Sequence, residues 1–405
     1  MSGRTAVTLF SGGRGGAGIV RGLLGTPGID LTILVNGYDN GHSTGALRRY
    51  LPGMLGPSDF RKNLLVHLDD GDPRQAALRA VLEHRLPAGT TRERLGELTD
   101  AIGSPDGGTG PFPSLPPSAG AAIARDLTAF LRRLDSRPGG LDLTDCALGN
   151  LVLAGAYLRL GEDFNAAVRA CARTFESPIR LLNVTNGENA FLVALKQDGR
   201  LLADEADIVA PQDTAAITDL FLLNVPLTPT CRAELAGRPA EEVRRALTRR
   251  RAAVSLNPEA RDAIRDADLI VYGPGTPHSS LLPSYLTPGI ADAIAESRAT
   301  AKVFVVNKRD DHDVQGLSAP ELAGLTLAYL GDPGNARATV THVLSHRAPE
   351  APPVPSDVAV SGVWAGARWL TADLEDPARP GAHCGPCTVR ALAGIAGEAA
   401  LARAR

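Results

Sequence analysis

The residues best suited to chemistry lie in four short segments. The first is Ser11-Gly12-Gly13-Arg14-Gly15-Gly16-Ala17-Gly18, which follows an apolar run and precedes a helical pattern. Glycines let a backbone approach a phosphate, and a helix N-terminus offers N–H groups and partial positive charge. Arg14 adds a cation that could reach a diphosphate. A tight turn needing only glycine is the plainer reading. The segment is no Walker loop, because no Gly-Lys-Ser/Thr follows. Gly13 to Gly18 does fit G-x-G-x-x-G, and Asp39 sits where a ribose-binding acid would, so a nicotinamide-dependent oxidoreductase is one alternative.

The second segment, Asn36 to Gly45, carries Asp39, Asn40, His42, Ser43 and Thr44. That mixture suits a phosphate, a ribose or Mg²⁺, which takes oxygen ligands and keeps several waters. A solvated loop capping the next helix is the rival reading. Just beyond it, Gly56 to Asn63 offers Asp59, Arg61 and Asn63, with Ser58 or Asp59 as an N-cap. The third segment, Gly273-Pro274-Gly275-Thr276-Pro277-His278-Ser279-Ser280, again puts backbone amides and hydroxyls ahead of a helix. The fourth, Asn307 to Asp313, holds Asp310, Asp311, His312 and Asp313; a metal site, a catalytic carboxylate or a charged surface loop would each explain it. Separately, His383-Cys384-Gly385-Pro386-Cys387 contains C-x-x-C, which is either a redox or metal motif or simply a helix start.

The elements that must position these residues read as an α/β chain. Strands are expected at 6–10, 31–35, 179–184, 191–195, 268–272 and 302–306. Helices are expected at 17–24, 59–68, 74–86, 121–134, 147–160 and 258–266. Asp198-Gly199 is a turn signal. Strand, helix and strand at this spacing make a βαβ unit, hence a parallel sheet. Four strands end in polar or glycine-rich loops, at Ser11, Asn36, Gly273 and Asn307. Ligands of open parallel sheets bind beyond the carboxyl ends of the strands, so these loops should converge. Residues 103–118, rich in Pro, Gly and Ser, read as an inserted loop, and 348–355 as a Pro-rich connection.

Bulk properties set the class. The chain has 405 residues, 44% apolar but only 4% aromatic, so aliphatic side chains must build the core. The net charge of -3 predicts no nucleic-acid surface. No apolar run is long enough for a membrane span and no signal-peptide pattern is visible, so a cytoplasmic protein is expected. Five cysteines, an odd number, argue for reduced thiols over a disulfide framework. Trp364 and Trp369 read as core or interface residues. Homo-oligomer formation is left open.

Together these motifs resemble the CofD/YvcK family, which contains the 2-phospho-L-lactate transferases and the gluconeogenesis factors. The glycine-rich start, DNGHSTG (39–45), GPSDFRKNL (56–64), Leu148-Gly149-Asn150-Leu151, residues 256–290 and even residues 383–393 are similar to that family's segments. The resemblance covers nearly the whole chain and lies nearer the gluconeogenesis-factor branch. It implies a Rossmann-like parallel sheet flanked by helices, with an inserted helical and loop segment and a C-terminal strand-helix extension. Residues 1–347 would form the nucleotide-binding domain and 348–405 would complete it.

The resemblance also implies function. One branch transfers a phospholactyl group from a guanosine diphosphate (GDP) adduct to a deazaflavin alcohol, using a divalent metal and releasing a nucleoside monophosphate. The other binds UDP-sugars such as UDP-N-acetylglucosamine and regulates carbon flux and cell-wall synthesis. The implied catalytic residues are Asp39, His42 and Asp59, with Mg²⁺ on Asp39 and Asp59. The implied nucleotide and phosphate contacts are Ser11, Gly12, Gly13, Arg14, Gly15, Asn40, Ser43, Thr44, Arg61, Asn63, Asn150, Gly273, Gly275, Thr276 and Ser279. The sequence departs from the pattern at Asn40, where the family has a second Asp, and at His42, where it has Gly. An amide is a poorer Mg²⁺ ligand than a carboxylate.

Overall fold

A computed structural model describes residues 4–104, 112–211, 215–308, 314, 316–347 and 359–404. It contains eleven strands: β1 (Thr5–Phe10), β2 (Ile29–Val35), β3 (Arg180–Asn183), β4 (Phe191–Lys196), β5 (Leu201–Leu202), β6 (Ile217–Leu223), β7 (Leu269–Tyr272), β8 (Ala301–Val305), β9 (His342–His346), β10 (Ala359–Trp364) and β11 (Ala367–Ala372). Eight of them form one sheet in the order β10-β11-β9-β8-β7-β1-β2-β3. The pairings from β11 through β9, β8, β7 and β1 to β2 are parallel, while β10 turns back antiparallel at the edge. The fold is α/β. Its central strands are apolar on both faces, as strands covered by helices on both sides must be.

The register places the motif loops. Phe10 pairs with Leu34 on one side and Tyr272 on the other, and Tyr272 pairs with Phe304. The carboxyl ends of β2, β1, β7 and β8 therefore lie level and adjacent. Phe10 stacks on Tyr272 at 5.7 Å, and Tyr285 meets both edge-on, a small aromatic platform at that end of the sheet.

Strands β4, β5 and β6 form a second, antiparallel sheet that the expectation of a single parallel sheet omits. Its hairpin turns at Asp198-Gly199, where Gly199 has φ +85°, a conformation that favours glycine. Val193, Leu195, Phe221 and Leu223 pack there against Val243 and Leu247 of a helix.

The chain divides into two compact units. The first holds residues 1–36, 182–186 and 190–405; the second holds 37–181 and 187–189. Helix α1 (Ala17–Leu24) belongs to the first and buries Ile19, Val20 and Leu23. The second is helical: α2 (His42–Tyr50), α3 (Ser58–Leu65), α4 (Pro73–Glu83), α5 (Arg92–Gly103), α6 (Pro117–Ser136), α7 (Leu148–Arg159) and α8 (Phe164–Thr174). Gly155 lets α7 approach the Asp126 backbone of α6, where a β-carbon would collide, and Arg159 pairs with the buried Asp126 carboxylate.

Several expectations shift. Helix α3 ends at Leu65, and its N-cap is Pro57, so neither Ser58 nor Asp59 caps it. Helices α5 and α8 have no counterpart among the expected elements. Residues 105–111 of the expected insertion, and the Pro-rich 348–355, lie outside the described residues. Cys384 and Cys387 are joined by a disulfide, which corrects the expectation of reduced thiols for that pair; Cys146, Cys171 and Cys231 are free. Trp364 and Trp369 meet edge-to-face across the β10–β11 hairpin at 6.4 Å. No helix among the described residues is long and apolar enough to cross a membrane.

Candidate functional site

In the first unit, four loops meet beyond the carboxyl ends of the sheet. After β1, the chain passes through Ser11, whose N–H donates to Leu34 O at 3.0 Å. A β-carbon on Gly12 would collide with Ser280, and one on Gly15 would lie 3.1 Å from Gly275 Cα and Pro274 O. The glycine-rich loop and the loop after β7 thus pack backbone against backbone. Gly273 N–H donates to Phe10 O at 3.0 Å, and a β-carbon on Gly273 would sit 2.7 Å from that oxygen. Glycine is required at these close approaches because any side chain would force the loops apart.

The flanking loops clamp this pair. Asn36, after β2, donates from Nδ2 to Ser280 O at 2.6 Å and to Ser284 Oγ at 3.2 Å. Asn307, after β8, accepts from Gly275 N–H at 3.2 Å and donates to Gly275 O at 2.8 Å. Both amides hold loops, a role the sequence reading did not give them. Ser11 and Ser279 are buried, Gly13 and Thr276 are half-buried, and Arg14 is exposed with no ion pair among the described residues. Neither α1 nor the helical turn beginning at Pro277 has a side-chain cap, and α1 has no acidic residue in its first turn. Without a side-chain cap or a first-turn carboxylate, these two helix starts keep the partial positive charge that favours an anion.

The second unit holds the other motif residues by different means. Asp39 Oδ1 accepts from Gly41 N–H at 3.0 Å, closing a local turn. The buried Arg48 donates to Tyr38 O at 2.8 Å, to Asp39 O at 3.1 Å and to Asn189 Oδ1. The same segment is gripped by two glycines: a β-carbon on Gly45 would strike Asn40 O, and one on Gly56 would strike Asp39 O. Gly41 caps α2 without a side-chain bond. Ser43 is half-buried and Thr44 buried; the side chain of His42, which opens α2, lies outside the described residues.

Further along, Asp59 is buried and pairs with Lys62 Nζ at 2.7 Å. Asn63 Nδ2 donates to Asp59 O at 2.8 Å. Arg61 is buried, donates to Asn150 Oδ1 at 2.9 Å and Leu82 O at 3.2 Å, and lies against Gly149. The structure brings Arg61 and Asn150 together as partners for each other. For Mg²⁺ the donor set fits poorly at Asp59, whose Oδ1 carries an ammonium. Asp39 is half-buried and offers one carboxylate. Among the described residues no group of three His, Cys, Asp or Glu side chains could hold a metal.

The sequence matches the family described as 2-phospho-L-lactate transferase CofD over residues 7–377, which takes in every segment above except the C-x-x-C motif. The chain belongs to the CofD family. Among its relatives, the gluconeogenesis factor of Bacillus subtilis (strain 168) is 27% identical over 307 residues, covering 76% of this chain and 69% of the relative. That of Halalkalibacterium halodurans is 27% identical over 301 residues, covering 74% and 66%. The match thus spans about two thirds of the length of either relative. A crystal structure of a protein from Bacillus halodurans superposes with TM-score 0.64 at 21% identity, over 96% of this chain and 99% of that one. Another, described as a member of the UPF0052 family from the same source, gives 0.57 at 24% identity over 87% and 83%. These likenesses establish the α/β fold.

One further cluster in this CofD-family chain joins residues from three separate segments. Lys308, its side chain 3% exposed, lies 3.0 Å from Glu375 Oε1. His346 Nε2 lies 3.8 Å from Glu375 Oε2, and its Nδ1 accepts from Leu374 N–H at 3.1 Å. The Gly381 amide and then Lys308 hold the Glu375 carboxyl below its ordinary range. His383 Nε2 lies 3.2 Å from Val306 O. Burial lowers His383 to about 4, with Lys308 and His346 adding in the same direction. Residues so far apart in the chain carry no joint signal in a single sequence. Residues 309–313, including Asp310, Asp311, His312 and Asp313, lie outside the described residues.

Proposed function

We propose that this chain binds a nucleoside-diphosphate-linked ligand, with the diphosphate on the paired loops Ser11–Gly18 and Gly273–Ser280. The observation that carries the reading is the close packing of the two loops, Gly12 against the Ser280 side chain and Gly15 against the Pro274–Gly275 backbone. That packing brings the two loops together at the carboxyl edge of the sheet, where anionic ligands of such folds bind, and neither helix start that follows them carries a side-chain cap. Arg14, exposed beside them, would neutralise charge on the diphosphate.

The same reading makes the chain a transferase of a phosphoryl-bearing group, with a nucleoside monophosphate as leaving group, in keeping with its family. Mg²⁺, when bound, would supply charge neutralisation on the phosphate oxygens, since Mg²⁺ commonly keeps one or two carboxylates and takes the rest from phosphates and water; Asp39 is the carboxylate whose loss tests for it. Arg61 and Asn150 fix the scaffold of their unit, and Asp59 serves Lys62.

A second reading is a UDP-sugar-binding regulator without turnover. Two observations favour it: the relatives named gluconeogenesis factor, and Asn40, which removes a carboxylate from the loop where the family has two. One experiment separates the readings. Purified protein is titrated with GDP, UDP-N-acetylglucosamine and NAD, with and without Mg²⁺, by thermal shift, and ligand consumption is followed by mass spectrometry. Stabilisation by a nucleoside diphosphate supports the site. Consumption supports the transferase, and binding without consumption over hours supports the regulator. Stabilisation by NAD alone sinks both.

A further inference from the structure

The C-x-x-C motif stands apart from the nucleotide reading, and its placement gives it a use. Cys384 is the residue before the 20-residue helix Gly385–Ala404. Its carbonyl accepts the first helical bond, from Thr388 N–H at 2.9 Å, with Thr388 Oγ1 also donating at 2.8 Å. Cys384 Sγ accepts from Cys387 N–H at 3.2 Å, as a capping oxygen would. A sulfur in that position is favoured as thiolate by the helix N-terminus. Cys387 follows one turn later, with the two Cα atoms 5.3 Å apart, inside the span a disulfide bridges without moving the backbone.

Two further observations point to a reactant and a consequence. Both sulfur-bearing residues are half-buried, and Cys384 opens on a cleft of about 700 Å³ lined by Arg21, Thr26, Asp376, Arg379 and Arg390. Three guanidinium groups against one carboxylate make that cleft cationic, suited to a thiol that carries carboxylates. The remaining cysteines offer no such setting. Burial pushes Cys146 up to about 11 and raises Cys171 further, and Cys231 lies on a separate helix with no neighbouring cysteine. Then, the backbone around Cys384 is packed directly on α1. A β-carbon on Gly18 would strike His383 O, one on Gly22 would lie 2.7 Å from Gly385 C and O, and one on Gly385 would strike Gly18 O. Gly18 is the last residue of the glycine-rich segment, so the loop and the cysteine pair share one rigid contact.

We propose that Cys384 and Cys387 form a reversible thiol–disulfide exchange site for a small carboxylate-bearing thiol, whose oxidation state is transmitted to the glycine-rich loop through the Gly18–Gly22 face of α1. In the oxidising direction the Cys384 thiolate attacks one sulfur of the small-molecule disulfide. A mixed disulfide forms and the first small thiol leaves. The Cys387 thiolate then attacks Cys384 Sγ, and the second small thiol leaves. The protein loses two electrons and two protons, and both pass to the two released thiols; reduction reverses each step.

The test uses the full chain and glutathione as the probe. The protein is equilibrated across ratios of reduced to oxidised glutathione, quenched in acid, and alkylated in denaturant. The peptide bearing 384–387 should pass from unlabelled to doubly labelled in one two-electron step, while the other three cysteines label at every ratio. A 384–387 peptide that labels fully at every ratio, or never labels even under excess reductant, overturns the exchange site. Amide exchange of residues 17–24 should differ about threefold or more between the two states, and should not differ in the Cys384→Ser/Cys387→Ser variant. Equal exchange in both states of the native chain overturns the coupling to α1. A last readout rests on the nucleotide reading: the Kd for GDP should differ about fivefold between states, a shift typical of modest coupling between sites. If neither state binds GDP or UDP-N-acetylglucosamine, the nucleotide reading fails, while alkylation and amide exchange still decide the proposal.

Discussion

The two units hold their motif loops in opposite ways. In the first, the glycine-rich loop and the loop after β7 touch through backbone, and two neutral amides, Asn36 and Asn307, fasten them. In the second, charged groups hold the segments: buried Arg48 on the Tyr38 and Asp39 carbonyls, half-buried Lys62 on buried Asp59, and buried Arg61 on Asn150. Glycine backbone held this way keeps its shape with no side-chain entropy to lose. A network of buried charges is satisfied internally, and removing one member leaves its partner stranded. The first arrangement is suited to binding an anion, the second to keeping a segment in one conformation.

Acid should break the symmetry of the units most strongly. His342 and His383, both in the first unit, are lowered by burial to about 4, and His346 is lowered as well. In the second unit His67 is lowered, again chiefly by burial. A buried neutral histidine stabilises the fold fully above its unfolded value near 6.5. That contribution is lost as pH falls from 6.5 towards 4, because the unfolded chain takes up the proton first. His342 and His383 would each contribute up to about 3 kcal/mol across that window. Both tryptophans lie in the first unit, so urea melts followed by tryptophan fluorescence should fall steeply between pH 7 and 4.5. A flat midpoint would show that the histidines are not buried as described.

Gly12→Val is the sharpest attack on the cradle. Its side chain would drive into Ser280, and GDP or UDP-N-acetylglucosamine affinity should fall about 100-fold or more, with an overpacking cost of about 1–3 kcal/mol. Retention of affinity within threefold, by titration calorimetry, would show that the loops do not meet on the ligand. In the other unit, Asn150→Leu should cost about 2 kcal/mol of stability, because it removes the acceptor of the buried Arg61 Nε–H. Ligand affinity should stay within about threefold if Asn150 is a scaffold residue; a tenfold loss, near 1.4 kcal/mol, would return it to the binding surface. The smallest effect is expected at Arg14→Ala. This exposed side chain should leave the melting temperature unchanged while weakening a diphosphate ligand about tenfold, the loss of one charge-assisted contact. Weakening of the free nucleoside by the same factor would place Arg14 away from the phosphates.

Much of this was legible in the sequence where chemistry is local. The span of α1 and the strands flanking the glycine loops follow from apolar runs and glycine clusters, and the structure returns them within two residues. Asp59 shows the limit. Its type and position suit a metal, yet its partner Lys62 is three residues on, a spacing that equally well makes a helical ion pair. Arg61 and Asn150 were both read as ligand contacts because nothing in a linear text shows two polar groups satisfying one another across 89 residues.

By itself the sequence determined the parallel α/β class, the glycine-rich loops and the family, because helix and strand periodicity and close backbone approach depend on residues near in the chain. Only the tertiary structure decided which loops touch, that Asn36 and Asn307 fasten them, and that Lys308, Glu375, His346 and His383 gather at one edge of the sheet. It also set Cys384 beside the Gly18 face of α1. The physical reason is the same throughout: strand order and register bring distant segments level, and burial then fixes which polar groups must satisfy each other.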